Sequence, residues 1–318
     1  MSDQSPTISV IMPAYNSERF IRESIESVLR QTWTNFELII VDDCSTDDTP
    51  SIIDQMASQD SRIVAIHNTI NQRQSESRNK ALRQARGKYI AILDHDDIAL
   101  PERFRLEHEY LETHPDIFMV GTYVRIIDGQ GRPAAVIKFP TNPDAIAQQL
   151  PIDNCFYHCC VMYRNIGKLF YRDHMRYVED YDFYLRLLSD GKRLANIPKV
   201  LAQYRVHDAT DSMKNYPKPI IFKDLAQKFY QQRITNGHDE YETFDPNTIL
   251  NTDYEQTTDP YLLRWIISAR FRMNLFAETR VLCHRYFKHN GWLNTIWVYF
   301  FGSFMGHRFW ELKRRIKT

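Results

Sequence analysis

Residues 89–97 read "YIAILDHDD", an apolar run that ends at once in three aspartates around one histidine. A short apolar run bounded by polar residues is typical of a strand buried in a protein core. Carboxylates this close together repel one another, and each is costly to desolvate unless a cation or hydrogen bonds compensate. The stretch therefore predicts a core strand whose end forms a charged site that requires a cation.

Three similar apolar runs precede this one, and together they predict the fold class. They read "ISVIM" at 8–12, "FELIIV" at 36–41 and "RIVAI" at 62–66, and stretches with helical spacing separate them. We expect Ser17 to cap the helix that follows the first run. Continuous apolar strands joined by helices predict an α/β protein with a mostly parallel sheet. Ligands of such sheets bind beyond the carboxyl ends of the strands.

The rest of the chain predicts a few more elements and then a helical region. The expected elements are a helix over Glu102–Thr113, a hairpin over Phe118–Phe139, a helix after Tyr177 that stops near Gly191, and a strand over 200–207. Beyond Asp211 the patterns are helical, apart from the polar stretch 236–258, which we expect to be a loop or linker. We therefore predict an α/β catalytic domain over 1–210 and a helical C-terminal region over 211–318.

The bulk composition is ordinary, but the charge is unevenly distributed. The chain has 318 residues, 43% of them hydrophobic, with 40 basic and 40 acidic side chains. From Arg264 to the end, eleven Lys and Arg residues stand against two acids, so the preceding part is acidic. A nucleic-acid partner is disfavoured, because no recognised nucleic-acid-binding fold accompanies the basic residues. Five cysteines without zinc spacing, and no secretory signal pattern before the first strand, favour a cytoplasmic location.

Two acidic motifs are candidate sites, and each has a simpler alternative. Asp94 and Asp96 form a D-x-D pattern, whose oxygen ligands suit Mg²⁺ or Mn²⁺ shared with a diphosphate. The alternative is a solvated turn in which Asp97 or a neighbour caps the next helix. Glu179, Asp180 and Asp182 open the later helix, where the helix dipole alone favours acids. The alternative there is that Asp180 acts as a general base for a hydroxyl.

Five motifs in order resemble a known enzyme family. They are "SVIMPAYN", "ELIIVDDCSTDDT", "SRNKALRQARGKYIAILDHDD", "VEDYDFYLRLLSDGK" and "YRVH". The sequence resembles family-2 glycosyltransferases, which are inverting, nucleotide-sugar-dependent enzymes with a GT-A (Rossmann-like) fold. The resemblance covers about 7–210. It implies nucleotide-sugar binding over about 7–97 and the acceptor side over about 98–210.

The resemblance also implies roles for individual residues. It implies that Pro13, Tyr15 and Asn16 line the nucleotide pocket, that Asp43 faces the base, typically uracil, and that Arg78 lies beside the donor. It favours Asp96 as the direct contact to Mn²⁺ or Mg²⁺, with Asp94 near the ribose or metal, Asp97 as a competing candidate and His95 between them. It makes Asp180 the catalytic base with Glu179 in support, and places Arg205 and His207 near the diphosphate or acceptor, unless they are surface strand residues.

Three positions depart from the family pattern. Cys44 stands where a glycine usually follows the double aspartate, and Arg73 and Lys80 stand where small residues are common. Glycine at such positions permits left-handed backbone or close approach of a ligand. These departures leave the shape of the loops, and the identity of the donor, open.

The expected reaction is a single sugar transfer with inversion, from a UDP-linked donor to a lipid-linked or cell-envelope glycan. Tyr261, Arg264 and Trp265 only partly match the Q-x-x-R-W motif of processive relatives, and we interpret them as part of an amphipathic helix. A nucleotidyltransferase and a non-catalytic nucleotide-sugar-binding or assembly protein are the alternatives of the same fold. The absence of a glycine-rich basic pyrophosphorylase loop disfavours the nucleotidyltransferase.

The aromatic and basic segment 292–318 predicts a peripheral membrane contact. Its longest apolar run, fifteen residues at 292–306, is shorter than the roughly 20 residues that span a bilayer. Arg308, Lys313, Arg314, Arg315 and Lys317 follow that run. Aromatic anchors beside basic residues are typical of segments in the interface of an anionic membrane. The alternative is packing on the protein itself or in a homodimer interface.

Overall fold

One mixed sheet organises the computed structural model, which describes residues 5–207, 217–254, 256–272, 275–291 and 296–305. The strands of these described residues are β1 Ile8–Ala14, β2 Phe36–Asp42, β3 Ile63–His67, β4 Tyr89–Ile92, β5 Ile98–Ala99, β6 Ile117–Asp128, β7 Pro133–Ile137, β8 Met162–Arg164 and β9 Arg193–Val206. Their order is β3-β2-β1-β4-β8-β6-β9-β5, and β7 pairs with β6. The predicted α/β class is confirmed.

The helices among the described residues flank this sheet or follow it in the sequence. They are α1 Ile21–Leu29, α2 Thr49–Gln59, α3 Arg73–Gln84, α4 Arg103–Thr113, α5 Pro143–Gln149, α6 Glu179–Ser189, α7 Lys218–Asn236, α8 Asn247–Leu250, α9 Pro260–Arg272, α10 Phe276–Asn290 and α11 Trp297–Met305. Short 3₁₀ turns lie at His158–Cys160 and Tyr241–Thr243. The expected loop over 236–258 therefore contains one such turn and the four-residue helix α8.

The N-terminal half of the sheet is parallel, as the alternating apolar runs predict. β1 pairs in parallel with both β2 and β4, and β2 pairs in parallel with β3. Every residue of β1, β2 and β4 is buried. Helices on both faces exclude water from these strands, which explains their continuous apolar sequences.

The other half of the sheet is mixed, and β9 is longer than expected. β8 lies antiparallel between β4 and β6, the β6–β7 hairpin forms as predicted, and β9 runs parallel to β6. The sequence predicted a strand over 200–207, whereas β9 starts at Arg193. The first part of β9 was not predicted because it contains Pro198, and a proline inside an apolar run argues against a strand. The β6–β9 register shifts between the pairs Thr122↔Ile197 and Tyr123↔Val200, which accommodates Pro198.

Two predicted helix boundaries had different outcomes. Gly191 has a φ of +70° and its N–H bonds to the Leu188 carbonyl at 3.1 Å, so it ends α6 as predicted. The expectation that the Ser17 side chain caps α1 was wrong. Its carbonyl oxygen accepts from the N–H groups of Phe20 and Ile21, both at 2.9 Å, through a turn before the helix. Its hydroxyl has no hydrogen-bond partner among the described residues.

The described residues divide into two compact units. One comprises 5–207 with 226–243, and the other comprises 217–225 with the described residues from 244 to 305. The division differs from the predicted boundary at 210, because the chain returns to the first unit at 226. No helix in the described ranges is long and apolar enough to cross a membrane.

Within the second unit, α11 packs on α10 and keeps some of its aromatic rings exposed. The ring of Trp297 stacks on Phe287 with centroids 4.3 Å apart, and Phe300 lies 5.8 Å from the same ring. The Phe301 ring stacks on Trp297 with centroids 5.1 Å apart, and the guanidinium of Arg280 on α10 lies 5.0 Å from the Phe304 ring. Phe301 and Phe304 nevertheless remain 61% and 65% exposed. Both alternatives for the aromatic run thus have exposed aromatic rings of α11 available. Residues 292–295 and 306–318, with the basic residues of the tail, lie outside the described residues.

In the same unit, the partial match to the processive motif is part of helix α9. Arg264 donates from Nε to the hydroxyl of Tyr286 at 2.8 Å. Leu263 is fully buried, whereas Trp265 is 38% exposed. The amphipathic helix predicted for this stretch is confirmed.

Candidate active site

The carboxyl ends of β1, β2 and β4 lie side by side and bring their polar residues to one edge of the sheet. The N–H of Asp43 donates to the carbonyl of Ala14 at 2.8 Å. Nδ1 of His95 lies 3.1 Å from the carbonyl oxygen of Pro13. His95 thus contacts the backbone of β1, and the acidic turn 94–97 lies beside the residues that follow β1 and β2.

Arg78 on α3 joins this acidic turn to the start of α6. Its Nη2 donates to Asp94 Oδ1 at 2.7 Å, and its Nη1 donates to Glu179 Oε1 at 3.1 Å. Arg78 is 2% exposed. Burial alone would lower its pKa, but Asp94 and Glu179 outweigh burial and raise that pKa above its ordinary value. The buried guanidinium therefore pairs with one carboxylate of each acidic motif.

The pairing of Arg78 with both acids was not predicted. The resemblance placed Arg78 beside the donor, but Arg78 and Glu179 are separated by 101 positions in the sequence. No local pattern connects residues so far apart. The available signal was a charged residue on the buried face of α3, because a buried charge requires a partner.

Asp180 is the partly buried carboxyl at the start of α6. Its Oδ1 accepts from the N–H of Tyr181 at 2.8 Å, and Asn154 Nδ2 lies 3.5 Å from its Oδ2. Burial, followed by the nearby carboxylate of Glu179, raises the pKa of Asp180 from 3.8 to about 7. A carboxyl with a pKa near neutral suits general base catalysis. Sequence reasoning missed Asn154, which lies in an irregular loop without a recognisable motif.

Glu179, which was expected to support Asp180, is 9% exposed. Burial raises the pKa of its carboxyl, and the guanidinium of Arg78 partly offsets this effect. The ion pair with Arg78 therefore connects Glu179 to Asp94 and not directly to Asp180. Glu179 acts on Asp180 through its charge, which is one cause of the raised pKa of Asp180.

Asp96 and His207 form the pair that fits a divalent cation. His207 Nε2 lies 2.9 Å from Asp96 Oδ2, and their side chains are 14% and 21% exposed. A carboxylate oxygen and an imidazole nitrogen that converge near the surface are suitable ligands for Mn²⁺, and the carboxylate also suits Mg²⁺. Asp94 lies in the same turn. Among the described residues, no group of three or more His, Cys, Asp or Glu side chains is arranged to hold a metal. A metal here would thus take further ligands from substrate and water, as Mg²⁺ commonly does.

Asp97, the competing candidate, points into the protein. It is fully buried, and its Oδ1 accepts from the backbone N–H of Arg205 at 2.8 Å. Burial, with the charges of Asp96 and Asp94, raises the pKa of Asp97 well above its ordinary value. This position gives Asp97 a contact with β9 and no exposed surface for a donor or a metal. The alternative, a cap on α4 from Asp97 or a neighbour, is not observed. The N-cap residue Glu102 makes no side-chain cap bond, and the N–H of Phe104 donates to Gln31 Oε1 at 3.0 Å.

Arg205 is also buried and already paired. Its side chain is 3% exposed, its Nε donates to the Asp96 carbonyl at 2.9 Å, and its Nη2 donates to Glu23 at 2.6 Å. The sequence placed Arg205 near the diphosphate or acceptor. Its guanidinium lies between the acidic turn and α1, and its burial contradicts the alternative of a surface strand residue.

The residues expected to line the nucleotide pocket differ in accessibility. Pro13 is buried within β1, whereas Tyr15 is 45% exposed. Asn16 accepts from the N–H of Thr46 at 2.8 Å and links the loops after β1 and β2. Asp43 is 3% exposed. Of these four residues, Tyr15 and Asn16 are therefore the accessible ones.

Asp43 holds the start of α3. Its Oδ1 accepts from Asn68 Nδ2 and from the N–H of Gln72, both at 2.8 Å, and its Oδ2 accepts from the N–H of Arg73 at 2.6 Å. Lys80, one of the departures, donates to Asn68 Oδ1 at 2.6 Å. These bonds give Asp43 a structural role in this loop, in addition to any contact with the base of the nucleotide.

The two departures at expected glycine positions keep the backbone that glycine would adopt. Cys44 has a φ of 63° and Arg73 a φ of 70°. A non-glycine residue in this left-handed region is strained by about 1–2 kcal/mol. The hydrogen bond from the Arg73 N–H to Asp43 helps to stabilise this strained backbone conformation of Arg73. The loops therefore retain the left-handed turns despite the missing glycines.

The fold and the paired acidic motifs define an α/β protein with its site at the carboxyl ends of parallel strands. Residues 9–169 match the family model described as Glycosyl transferase family 2. The putative glycosyltransferase EpsE of Bacillus subtilis is 37% identical over 67% of this chain and 77% of its own length. The chain belongs to glycosyltransferase family 2, as the motifs indicated.

Another relative has a more detailed name. The Escherichia coli protein WfaP, named a UDP-Glc:alpha-D-GlcNAc-diphosphoundecaprenol beta-1,3-glucosyltransferase, is 32% identical over 71% of this chain and 90% of its own length. The E. coli O-antigen biosynthesis glycosyltransferase WbnJ is 33% identical over 63% of this chain and 80% of its length. The chain is therefore a glycosyltransferase by family, with relatives named for glycan biosynthesis.

Solved structures support the GT-A fold. S. aureus TarS 1-349 in complex with UDP-GlcNAc matches 95% of this chain and 91% of its own length, with a TM-score of 0.59 and 18% identity. The chain spans 55% of the longer solved TarS chain, with a TM-score of 0.58. At this level of identity the similarity establishes the fold.

Proposed function

We propose that this glycosyltransferase transfers one sugar from a nucleotide diphosphate sugar to a hydroxyl of a lipid-linked or cell-envelope glycan, with inversion. The observation that carries the proposal is the double ion pair of Arg78 with Asp94 and Glu179. It joins a donor-side acidic turn and an acceptor-side acidic helix start into one site. The names of WfaP and of the TarS complex make UDP-linked sugars the first donors to test.

Asp180 is the base in this proposal. It accepts the proton of the acceptor hydroxyl while that oxygen forms a bond to the anomeric carbon. The bond from that carbon to the diphosphate oxygen breaks, and the nucleoside diphosphate leaves with the electron pair. One displacement inverts the centre, so an α-linked donor gives a β-linked product. The raised pKa of Asp180, about 7, supports this role because it makes the carboxylate a stronger base.

Asp96, His207 and Asp94 are the residues that would hold Mn²⁺ or Mg²⁺. The ion, when bound, supplies Lewis-acid stabilisation of the charge that develops on the leaving diphosphate. Asp96 and His207 offer their converging atoms at a partly exposed position. Tyr15 and Asn16 would bind the nucleotide directly. Pro13 and Asp43, which are buried, would support the loops that form the pocket.

The accessible face of α11 supports the further proposal of a peripheral contact with an anionic membrane at the cytoplasmic side. Val298, Phe301 and Phe304 recur every three residues and are 55–65% exposed, and α11 has no charged residue. Deletion of 292–318 should move the protein from the vesicle-bound to the unbound fraction on anionic liposomes. Unchanged binding would favour the alternative, in which this face forms a homodimer, and sedimentation of the deletion variant would test that.

A panel of nucleotide sugars tests the catalytic proposal. The purified protein is incubated with each donor and Mn²⁺, Mg²⁺ or EDTA, and nucleotide release and thermal stabilisation are measured. We expect one UDP-sugar to stabilise the protein with metal and not with EDTA, and Asp96→Ala to lose that metal-dependent stabilisation. Stabilisation without nucleotide release, in the presence of a range of glycan acceptors, would favour a non-catalytic binding protein. Formation of a sugar nucleotide from a sugar phosphate would favour a nucleotidyltransferase.

A further inference from the structure

Phe20 and Glu23, at the start of α1, contact two side chains from the end of β9. The guanidinium carbon of Arg205 lies 4.7 Å from the centre of the Phe20 ring, and the His207 ring lies 4.9 Å from it. Glu23 accepts from Arg205 Nη2 at 2.6 Å. The Glu23 side chain is 52% exposed while that of Arg205 is 3% exposed. An accessible acid thus compensates a buried cation.

The two β9 side chains both contact Asp96, at different atoms. Arg205 Nε donates to its backbone carbonyl at 2.9 Å, and His207 Nε2 lies 2.9 Å from its Oδ2. The backbone N–H of Arg205 also donates to the carboxylate of Asp97 at 2.8 Å. The end of β9 therefore contacts the main chain of the acidic turn and the carboxylates of both Asp96 and Asp97.

We propose that Phe20, Glu23 and Arg205 form a positioning cluster that sets the orientation of Asp96 in the acidic turn. The consequence for metal binding rests on the proposed function, in which Asp96 is a ligand. Arg205 directs its Nε to the turn and its Nη2 to Glu23, and the planar guanidinium fixes the angle between these bonds. Phe20 supports the guanidinium and the imidazole together, so these two contacts to Asp96 share one surface. Arg205 contacts the backbone carbonyl of Asp96, and Glu23 and Phe20 contact Arg205, so all three residues act through Asp96.

This arrangement predicts a specific pattern of effects. Without Glu23 or the Phe20 ring, the turn samples orientations in which Asp96 does not face His207. The metal then binds only the protein molecules whose turn has the competent orientation. The apparent metal affinity therefore falls in proportion to the fraction of molecules in that orientation. Once the metal is bound the site is complete, so the maximal rate changes little.

The test uses four variants of the full chain. Glu23→Gln, Phe20→Leu and Arg205→Lys alter the cluster, and Glu26→Gln is the matched control, since Glu26 lies on the same helix and pairs with Arg30 at the surface. Two measurements are made. One is the titration of Mn²⁺ in the presence of UDP by calorimetry, and the other is hydrogen–deuterium exchange of the segment 93–99 without metal.

We expect the three cluster variants to weaken Mn²⁺ binding about tenfold and to accelerate exchange of 93–99. We expect Glu23→Gln and Phe20→Leu to keep the rate at saturating Mn²⁺ within about twofold of the wild type. The Glu26→Gln control should match the wild type in both measurements. Folded Glu23→Gln and Phe20→Leu proteins with unchanged Mn²⁺ affinity and unchanged exchange would overturn the proposal, even if Arg205→Lys fails to fold. If the wild type itself does not bind Mn²⁺ in the presence of UDP, the proposed metal site is wrong. Hydrogen–deuterium exchange of 93–99 alone then tests whether the cluster positions the acidic turn. Faster exchange in the variants supports it, and unchanged exchange overturns it.

Discussion

The acidic turn after β4 and the acidic start of α6 have similar compositions and use their carboxylates in parallel ways. Each contributes one carboxylate to Arg78, has a second that is fully buried, and leaves a third partly exposed. In this order, the three residues are Asp94, Asp97 and Asp96 in the turn, and Glu179, Asp182 and Asp180 in the helix. One buried guanidinium thus neutralises a member of each cluster.

The two clusters differ in the partners of the remaining acids. Asp96 faces the imidazole of His207, whereas Asp180 accepts from the neutral N–H groups of Tyr181 and Asn154. Burial and the neighbouring carboxylate of Glu179 outweigh the charge of Arg78 and raise the pKa of Asp180 to about 7. In the proposed function, the same type of side chain therefore binds metal in one cluster and accepts a proton in the other, because the environment sets its basicity.

The largest expected effect comes from removal of the base. Asp180→Asn should lower the rate of sugar transfer by about 10³–10⁴-fold, since general base catalysis contributes on the order of 10²–10⁴. Binding of the donor should remain within a few-fold of the wild type. Single-turnover transfer assays and donor titration would separate the two effects. Asp190→Asn at the other end of α6 is the control, and a variant at Asp180 that retains transfer would remove Asp180 as the base.

The next effect tests the cation that both clusters share. Arg78→Met leaves Asp94 and Glu179 without their partner, and breaking a buried ion pair on one side costs about 3–5 kcal/mol. The free energy of unfolding, from denaturant titration, should fall by that amount. Arg83→Met, on the same helix but in an exposed pair with Glu76, should change it by less than about 1 kcal/mol. A similar small loss for Arg78→Met would mean that the two clusters are independent.

The pH dependence of the rate, and of the stability difference between Asp180→Asn and the wild type, tests the raised pKa of Asp180. With a pKa near 7, the rate should increase about tenfold per pH unit below 7 and level off above it. The folded state also holds this proton more tightly than the unfolded state, whose Asp titrates near 3.9. The stability contribution of Asp180 is therefore lost as the pH rises from about 4 to 7. The melting temperature of Asp180→Asn should therefore rise relative to that of the wild type over this range. The same difference in melting temperature between the two proteins at pH 4 and at pH 8 would contradict the raised pKa.

The smallest effect concerns the loops that position the donor side. Cys44→Gly should relieve left-handed strain, but glycine also gains entropy in the unfolded state, so the net stabilisation is expected to be under about 1 kcal/mol. Cys44→Ala is the matched control, because it removes the thiol and keeps the Cβ. Chemical denaturation of both variants measures the difference. A destabilised glycine variant would show that the thiol contact with the Thr69 carbonyl, at 3.6 Å, matters more than the backbone.

The sequence by itself predicted the class of fold and the position of the site. The alternating apolar runs and helices indicated the parallel strands β1 to β4, and the topology of such sheets places the residues after those strands at one edge. These signals are local, because the burial of a strand or of one helix face is encoded in adjacent residues. The family followed from the order of five motifs.

The tertiary structure alone decided which acids share a cation, which are buried and which remain accessible. The pairing of Arg78 with Glu179 and the contacts of Arg205 with Glu23 and Asp96 join residues from distant parts of the chain. Aspartates within one motif are equivalent in sequence, and their difference arises from the neighbours that packing brings to each carboxylate. Burial and partner charge set the pKa of an acid, and both are properties of the folded chain.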